Sequence, residues 1–305
     1  MSNLAAPPFQ VTWTLTERCD LRCRHCIVPV RPVRDVTNEA DTRTAMRFVE
    51  SLWDNDVCLL SFGGGEPTVR PDFFAIARHA RNIGLTVLTS TNAQRLDEAM
   101  LDRFEESGFQ CLQVSLDGLT ADTHEAVRGP GTFGPAMRGL ELLLGRPLMP
   151  VLAIAVHRRL LPELDRVIDF AIAHSLYALK VQPIANPFRY ADGTRGDLTE
   201  AEAVAVARRC HARLRGTKVK LSVSAWLMAS IGKERASSCA GDMRCGLVDA
   251  RGGVSLCDER PGIGNAFDGS FLEHWTSAVD RARRERSCGC FALRRAANPL
   301  PMVAS

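Results

Sequence analysis

Six times between residues 9 and 214 a strand-length apolar run is followed by a helix-period stretch, mostly through a short loop. Apolar and polar residues alternate over 9–16, as in a half-buried strand, and further strands are expected at 57–62, 85–90, 109–115, 150–156 and 178–182. Helical spacing fills 39–52, 73–82, 96–106, 133–144 and 162–175. Strands that alternate with helices lie parallel, and right-handed crossovers curl such a series toward a barrel or an open part of one. The expected fold is therefore α/β, a partial (β/α)6 barrel of the TIM type, with its chemistry in the loops after the strands' C-terminal ends. A turn-rich loop at 184–197, a helix at 199–214 and a strand at 218–223 close a first domain, residues 1–236. Beyond it, five of the eleven cysteines lie between Cys239 and Cys290, with a Gly-rich hairpin signal at 249–254, so a small second domain is expected over 237–305.

The cysteines need an explanation other than disulfides. A chain of 305 residues buries a sufficient core without them. It opens with no secretory signal, and its longest apolar stretch, near 147–156, is about half of a membrane span. A cytoplasmic protein is expected, in a reducing compartment where clustered cysteines bind metal or do redox work. The net charge of +3 gives no strong field for nucleic acid or a membrane surface, and neither is expected as a partner. Only four of the 38 basic residues are lysines, Lys180, Lys218, Lys220 and Lys233, and the basic run at 281–286 reads as a solvated helix face.

After the first strand, Cys19, Cys23 and Cys26 supply three thiols from one loop. Such spacing lets a short segment hold three corners of an iron-sulfur cubane, leaving one iron open. A zinc site is the alternative, with His25 as fourth ligand, although adjacent His25 and Cys26 reach one tetrahedral ion with difficulty.

In this loop, with His25 in the aromatic-type slot before the last cysteine, and in Gly64-Gly65-Glu66-Pro67 after the second strand, the chain resembles the radical S-adenosylmethionine (SAM) enzymes. The resemblance covers residues 11 to about 183 and implies a 4Fe-4S cluster on Cys19, Cys23 and Cys26, with SAM chelating the open iron. It implies that the turn at Gly64, Gly65 and Glu66 presents backbone groups to the methionyl ammonium, where a side chain would block approach. Thr91-Asn92 is similar to the family's Thr-Asn-Gly turn, with Ala93 where glycine is usual, and Ser115-Leu116-Asp117-Gly118 with His124 and Arg128 resembles its fourth-strand segment. Ser115 is implied to bond SAM's ribose or carboxylate and Asn92 to approach SAM or substrate. Structural roles in turns are the alternative for Asn92, Asp117 and Arg128.

The order of Cys239, Gly252, Cys257, Gly264-Asn265, Trp275 and Cys288-Gly289-Cys290 resembles the twitch domain, a shortened relative of the SPASM domain. That implies an auxiliary 4Fe-4S cluster on Cys239, Cys257, Cys288 and Cys290, though one residue, not the usual two, separates the last pair. Cys245 is then spare. It is either a small packing residue or the catalytic thiol that returns hydrogen to a substrate radical from the opposite face, with Gly246 permitting close approach. Cys58, Cys111 and Cys210 are expected to pack in the core.

In this family SAM and a reduced cluster supply a 5'-deoxyadenosyl radical and the protein supplies orientation and shielding. With only about ten residues before the first strand, no peptide-recognition domain is expected, which favours a small substrate, an amino sugar. Size and the spare cysteine most resemble the aminoglycoside epimerases of antibiotic biosynthesis, of the neomycin C epimerase type. The alternatives are a sugar-alcohol dehydrogenase, a maturase of a ribosomal peptide and, last, a non-catalytic iron-sulfur or zinc protein. An external electron donor such as flavodoxin or ferredoxin is implied. A polycationic substrate would need local acids, for which Asp192, Asp197, Asp258 and Glu259 are candidates.

Overall fold

The structure, a computed structural model, describes residues 5–37, 39–184, 187–223, 245–256 and 262–285. Seven strands follow one another across a parallel sheet: β1 (Gln10–Thr16), β2 (Leu59–Gly64), β3 (Thr86–Thr91), β4 (Cys111–Ser115), β5 (Met149–Val156), β6 (Ala178–Pro183) and β7 (Lys220–Ser222). Two more, β8 (Cys245–Val248) and β9 (Val254–Ser255), extend it past β1, giving the order β7-β6-β5-β4-β3-β2-β1-β8-β9. Only β8 and β9 pair antiparallel, and β7 and β9 do not meet. The expected partial barrel is thus an open, curled sheet.

Its helices are α1 (Thr42–Asp54), α2 (Phe73–Asn82), α3 (Glu98–Glu106), α4 (Ala121–Arg128), α5 (Phe133–Leu144), α6 (Leu164–Ala173), α7 (Glu200–Leu214) and α8 (Phe271–Glu285). Strand alternation divides the sheet's faces. Val11, Trp13, Leu60, Phe62, Leu112, Val114, Leu179 and Val181 are fully buried against the helical layer. Between them Thr12, Thr14, Ser61, Gln113, Ser115 and Lys180 stay half-buried on the other, concave face. Trp13 packs edge-on to Phe48 of α1 at 5.0 Å, and each such side chain contributes roughly 1.5–3 kcal/mol by leaving water.

Three features depart from the sequence reading. Helix α1 begins at Thr42, capped by the Asp41 carboxylate on the Thr44 N–H at 2.7 Å, so Glu39 lies outside it and is available for ion pairing. Helix α4 was not expected, being two turns long in a polar stretch and started by a Thr120 cap. Cys58 is exposed just before β2, whereas Cys111 is half-buried and Cys210 buried as packing requires.

The described part of the expected second domain continues the first core. Phe271 and Trp275 of α8 are fully buried, Phe271 lies 6.1 Å from Phe48, and Phe267 lies 5.8 Å from Trp13. The Trp275 indole N–H donates to the Ala6 carbonyl at 2.9 Å. Among the described residues no helix is long and apolar enough to cross a membrane.

Candidate active site

Parallel pairing brings the C-terminal ends of β1 to β5 to one rim, and the loop carrying Cys19, Cys23 and Cys26 leaves that rim from β1. Its base is held against the turn after β2. The Gly65 N–H donates to the Thr16 carbonyl and the Glu66 N–H to the Arg18 carbonyl, both at 2.8 Å. A Cβ on Gly64 would lie 2.2 Å from the Thr16 oxygen, and one on Gly65 would lie 2.1 Å from the Arg18 oxygen. Gly64 also has φ +108°. The two glycines are therefore required by the chain's own backbone at the root of the cysteine loop, whatever ligand the turn also meets.

A buried ionic brace, absent from the sequence reading, stiffens the same root. Arg18 donates from Nε and Nη2 to the two Glu39 oxygens at 2.7 and 2.8 Å, and Thr16 bonds the same carboxylate. Arg70 donates to the Leu15 carbonyl at 3.1 Å, the Ala40 carbonyl at 2.8 Å and the Asp72 carboxylate at 2.7 Å. Only the resulting contacts identify these residues, since nothing local in the sequence separates them from surface charge.

Glu66 is inside the protein, 1% exposed. One oxygen accepts from the hydroxyls of Thr68 at 2.7 Å and Thr91 at 2.9 Å, and the other from the Asn92 N–H at 2.7 Å. Burial raises its pKa against these bonds. It ties β2 to the end of β3, and that tie carries Asn92, whose amide donates to Asp20 at 2.7 Å beside the Cys19 sulfur at 3.9 Å. Ala93 has φ +58°, the left-handed backbone that explains why glycine is usual there. Ser115 ends β4 on the concave face, half-buried.

Behind the loop lies Asp117, fully buried. Its carboxylate accepts from Arg128 Nε at 2.6 Å and the Ala155 N–H at 2.7 Å, and faces His25 Nε2 at 3.7 Å. Burial alone would raise this acid; Arg128, His25 and the Ala155 N–H outweigh it and leave a pKa of about 2. Burial pushes the His25 pKa down against the pull of Asp117, and its Nδ1 is buried without a partner among the described residues. The Arg24 N–H, at 2.8 Å from the Val127 carbonyl, fastens the loop to the end of α4.

His124 accepts the Asp117 N–H on Nδ1 at 3.1 Å, so its own proton sits on Nε2, which is buried without a partner among the described residues. Burial pushes its pKa from 6.5 down to about 4. Between those values the unfolded ring binds a proton that the folded ring refuses, so folding stability falls as pH drops from 6.5 toward 4. His124→Gln is expected to flatten that part of the urea-midpoint profile, and an unchanged slope would assign the acid sensitivity to other groups.

Cys19, Cys23 and Cys26 are free thiols of one loop, and soft thiolates at separate corners are the donor set of a cubane. Burial pushes the Cys19 thiol up to about 12 and Cys23 to about 11, so both become thiolates only beside a strong cation. Cys239, Cys257, Cys288 and Cys290 lie outside the described residues, as do Asp258 and Glu259.

Cys245 opens β8 opposite Gln10, at the end of β1 away from the three-cysteine loop. The seven residues from Gln10 to Thr16 span roughly 20 Å at strand rise. Gly246 is packed against the Trp275 ring, which a Cβ would approach to 3.2 Å, so the glycine serves that contact. Asp192 and Asp197 are also engaged elsewhere, paired with Arg159 and Arg195.

The sequence pattern of the Radical SAM superfamily matches residues 13–157, the span from β1 to the end of β5 that builds this rim. With 33% identity over 285 residues to a curated relative described below, the chain belongs to that superfamily. Its cofactors are accordingly SAM and a 4Fe-4S cluster. The relative is the mycofactocin maturase MftC of Mycobacterium ulcerans, matched over 89% of this chain and 75% of that protein. The AdoMet-dependent heme synthase of Methanosarcina barkeri is 33% identical over 178 residues, 56% of this chain and 49% of that one. In fold, Streptococcus suis SuiB bound to S-adenosylmethionine superposes with a TM-score of 0.75 at 16% identity, over 95% of this chain and 73% of that chain. The narrower expectation of an aminoglycoside epimerase finds no support in these relatives.

Proposed function

We propose that this radical SAM enzyme is a maturase that abstracts a hydrogen atom from a peptide. The chemistry of the concave face is the observation that supports this reading. Thr12, Thr14, Ser61, Ser90, Gln113 and Gln182 point neutral donors and acceptors into it, Lys180 adds one cation, and the two acids beside Thr12 and Thr14 are already engaged, Glu17 with Arg31 and Asp249 with the Arg251 and Gly253 N–H groups. A polycationic amino sugar needs carboxylates there, and a peptide backbone needs alternating donors and acceptors. The 33% identity to a maturase points the same way.

Within this reading Cys19, Cys23 and Cys26 hold the SAM cluster, and Cys239, Cys257, Cys288 and Cys290 an auxiliary 4Fe-4S cluster that accepts or relays an electron. Ser115 and Asn92 face SAM, while Gly64, Gly65, Glu66 and His25 set the rim that holds it. The setting is the reducing cytoplasm, with flavodoxin or ferredoxin as external donor. No hydrogen-donor role is proposed for Cys245, because of its position at the far end of β1.

Anaerobically reconstituted protein, given SAM, dithionite and short peptides translated from reading frames adjoining its gene, is expected to release 5'-deoxyadenosine and a modified peptide in matching amounts. Conversion of an aminoglycoside with every peptide unchanged would overturn the assignment.

A further inference from the structure

Lys180 lies on β6 between Leu179 and Val181, both fully buried against the helices, so its side chain leaves the sheet on the concave face. Strand register puts Ser115, Ala153 and Lys180 in one row across β4, β5 and β6. At ordinary strand spacing Ser115 and Lys180 are about 10 Å apart, and Ala153 between them carries only a methyl group.

The other buried cations of the described chain are matched by acids. Arg18 has Glu39, Arg70 has Asp72 and Arg128 has Asp117. Lys180 has no carboxylate or hydrogen-bond partner among the described residues, and burial pushes its pKa down with nothing opposing it. A half-buried ammonium left that way costs stability, which a bound anion offsets.

The residue type carries a second signal. Only four of 38 basic residues are lysines, and Lys220 donates to the Tyr177 hydroxyl at 2.8 Å on the sheet's edge. A lysine on the concave face of so arginine-rich a chain indicates a need for a compact ammonium whose three N–H groups can turn toward a ligand, rather than for a rigid planar fork.

We propose that Lys180 is the anion anchor of the concave face, its ammonium receiving a carboxylate of the substrate bound beside Ser115. This rests on the reading that the substrate lies on that face, and it adds that the substrate presents a carboxylate within reach of β6. SAM carries a carboxylate too, so the test must separate the two sources.

Saturation-transfer NMR on SAM-loaded holoenzyme, with N-acetylalanine and N-acetylalanine amide as probes, reads the anchor without turnover. Wild type is expected to bind the free acid in preference to the amide. Lys180→Met should weaken the acid about tenfold or more, the scale of a lost charge-assisted hydrogen bond, with Lys180→Arg retaining part of it. SAM affinity by equilibrium dialysis should be unchanged in Lys180→Met, which also shows that the variant is folded. Equal binding of the two probes, binding of neither, or an acid affinity unaffected by Lys180→Met would each overturn the proposal. So would a tenfold loss of SAM affinity, which assigns the anchor to SAM's own carboxylate. Release of 5'-deoxyadenosine from the same preparations tests radical SAM chemistry separately from carboxylate binding.

Discussion

Replacing Cys19, Cys23 and Cys26 together by alanine is expected to lower the iron content of anaerobically reconstituted protein by about four atoms per chain and to abolish 5'-deoxyadenosine release. The fold should survive the change. The loop's root is held by the Gly65 and Glu66 N–H bonds to β1 and by the Arg18–Glu39 pair, none of which involves a thiol, and the core lies on the other face of the sheet. Far-UV circular dichroism and the urea midpoint of the cluster-free chain should therefore match those of cluster-free wild type. Iron retained in full would mean that these thiols hold no cluster, and a collapsed urea midpoint would mean that they serve packing instead.

Asp117→Ala is expected to destabilise the protein by about 3–5 kcal/mol, the scale of breaking one partner out of a buried ion pair. Arg128, with a side chain 11% exposed, would keep its charge and lose its acid, and the Ala155 N–H would lose its acceptor. Arg128→Met should be costly for the reciprocal reason. The double variant should lose less than the sum of the two, because neither charge is then left alone. Urea unfolding of the four proteins closes the cycle, and a loss below about 1 kcal/mol for Asp117→Ala would show that the pair is solvated rather than buried. His25, 3.7 Å from the same carboxylate, also loses the group it faces, so the cluster's electron paramagnetic resonance signal should broaden in the variant even where iron binds.

Sequence pattern located most of this architecture because strand and helix periods are local. The alternation over 9–16 became β1, with Val11 and Trp13 buried and Thr12 and Thr14 on the concave face. The cysteine spacing and the Gly64-Gly65-Glu66 turn marked the rim for the same reason, since each is a run of neighbours. What escaped was nonlocal. The turn's glycines were expected to make room for SAM, and their first demand is the carbonyls of Thr16 and Arg18. Glu66 was expected at the cofactor, and its oxygens are taken by Thr68, Thr91 and Asn92. Arg18, Glu39 and Arg70 carried no signal at all, because their meaning is a partner distant in the chain.

Cys245 separates the two kinds of knowledge most clearly. Counting cysteines against the four ligands of a cluster singled it out, and composition alone made it the residue on which the reaction turned. Parallel pairing of β8 with β1 then put it beside Gln10, at the opposite end of the strand from Cys19. By itself the sequence determined the class of fold, the three-thiol loop and the family, since these follow from periods and spacings within short segments. Tertiary structure decided which face is polar, which acids are already paired and that Lys180 stands on the concave face with no acid beside it among the described residues. Those depend on strand register and long-range burial, which no local pattern encodes.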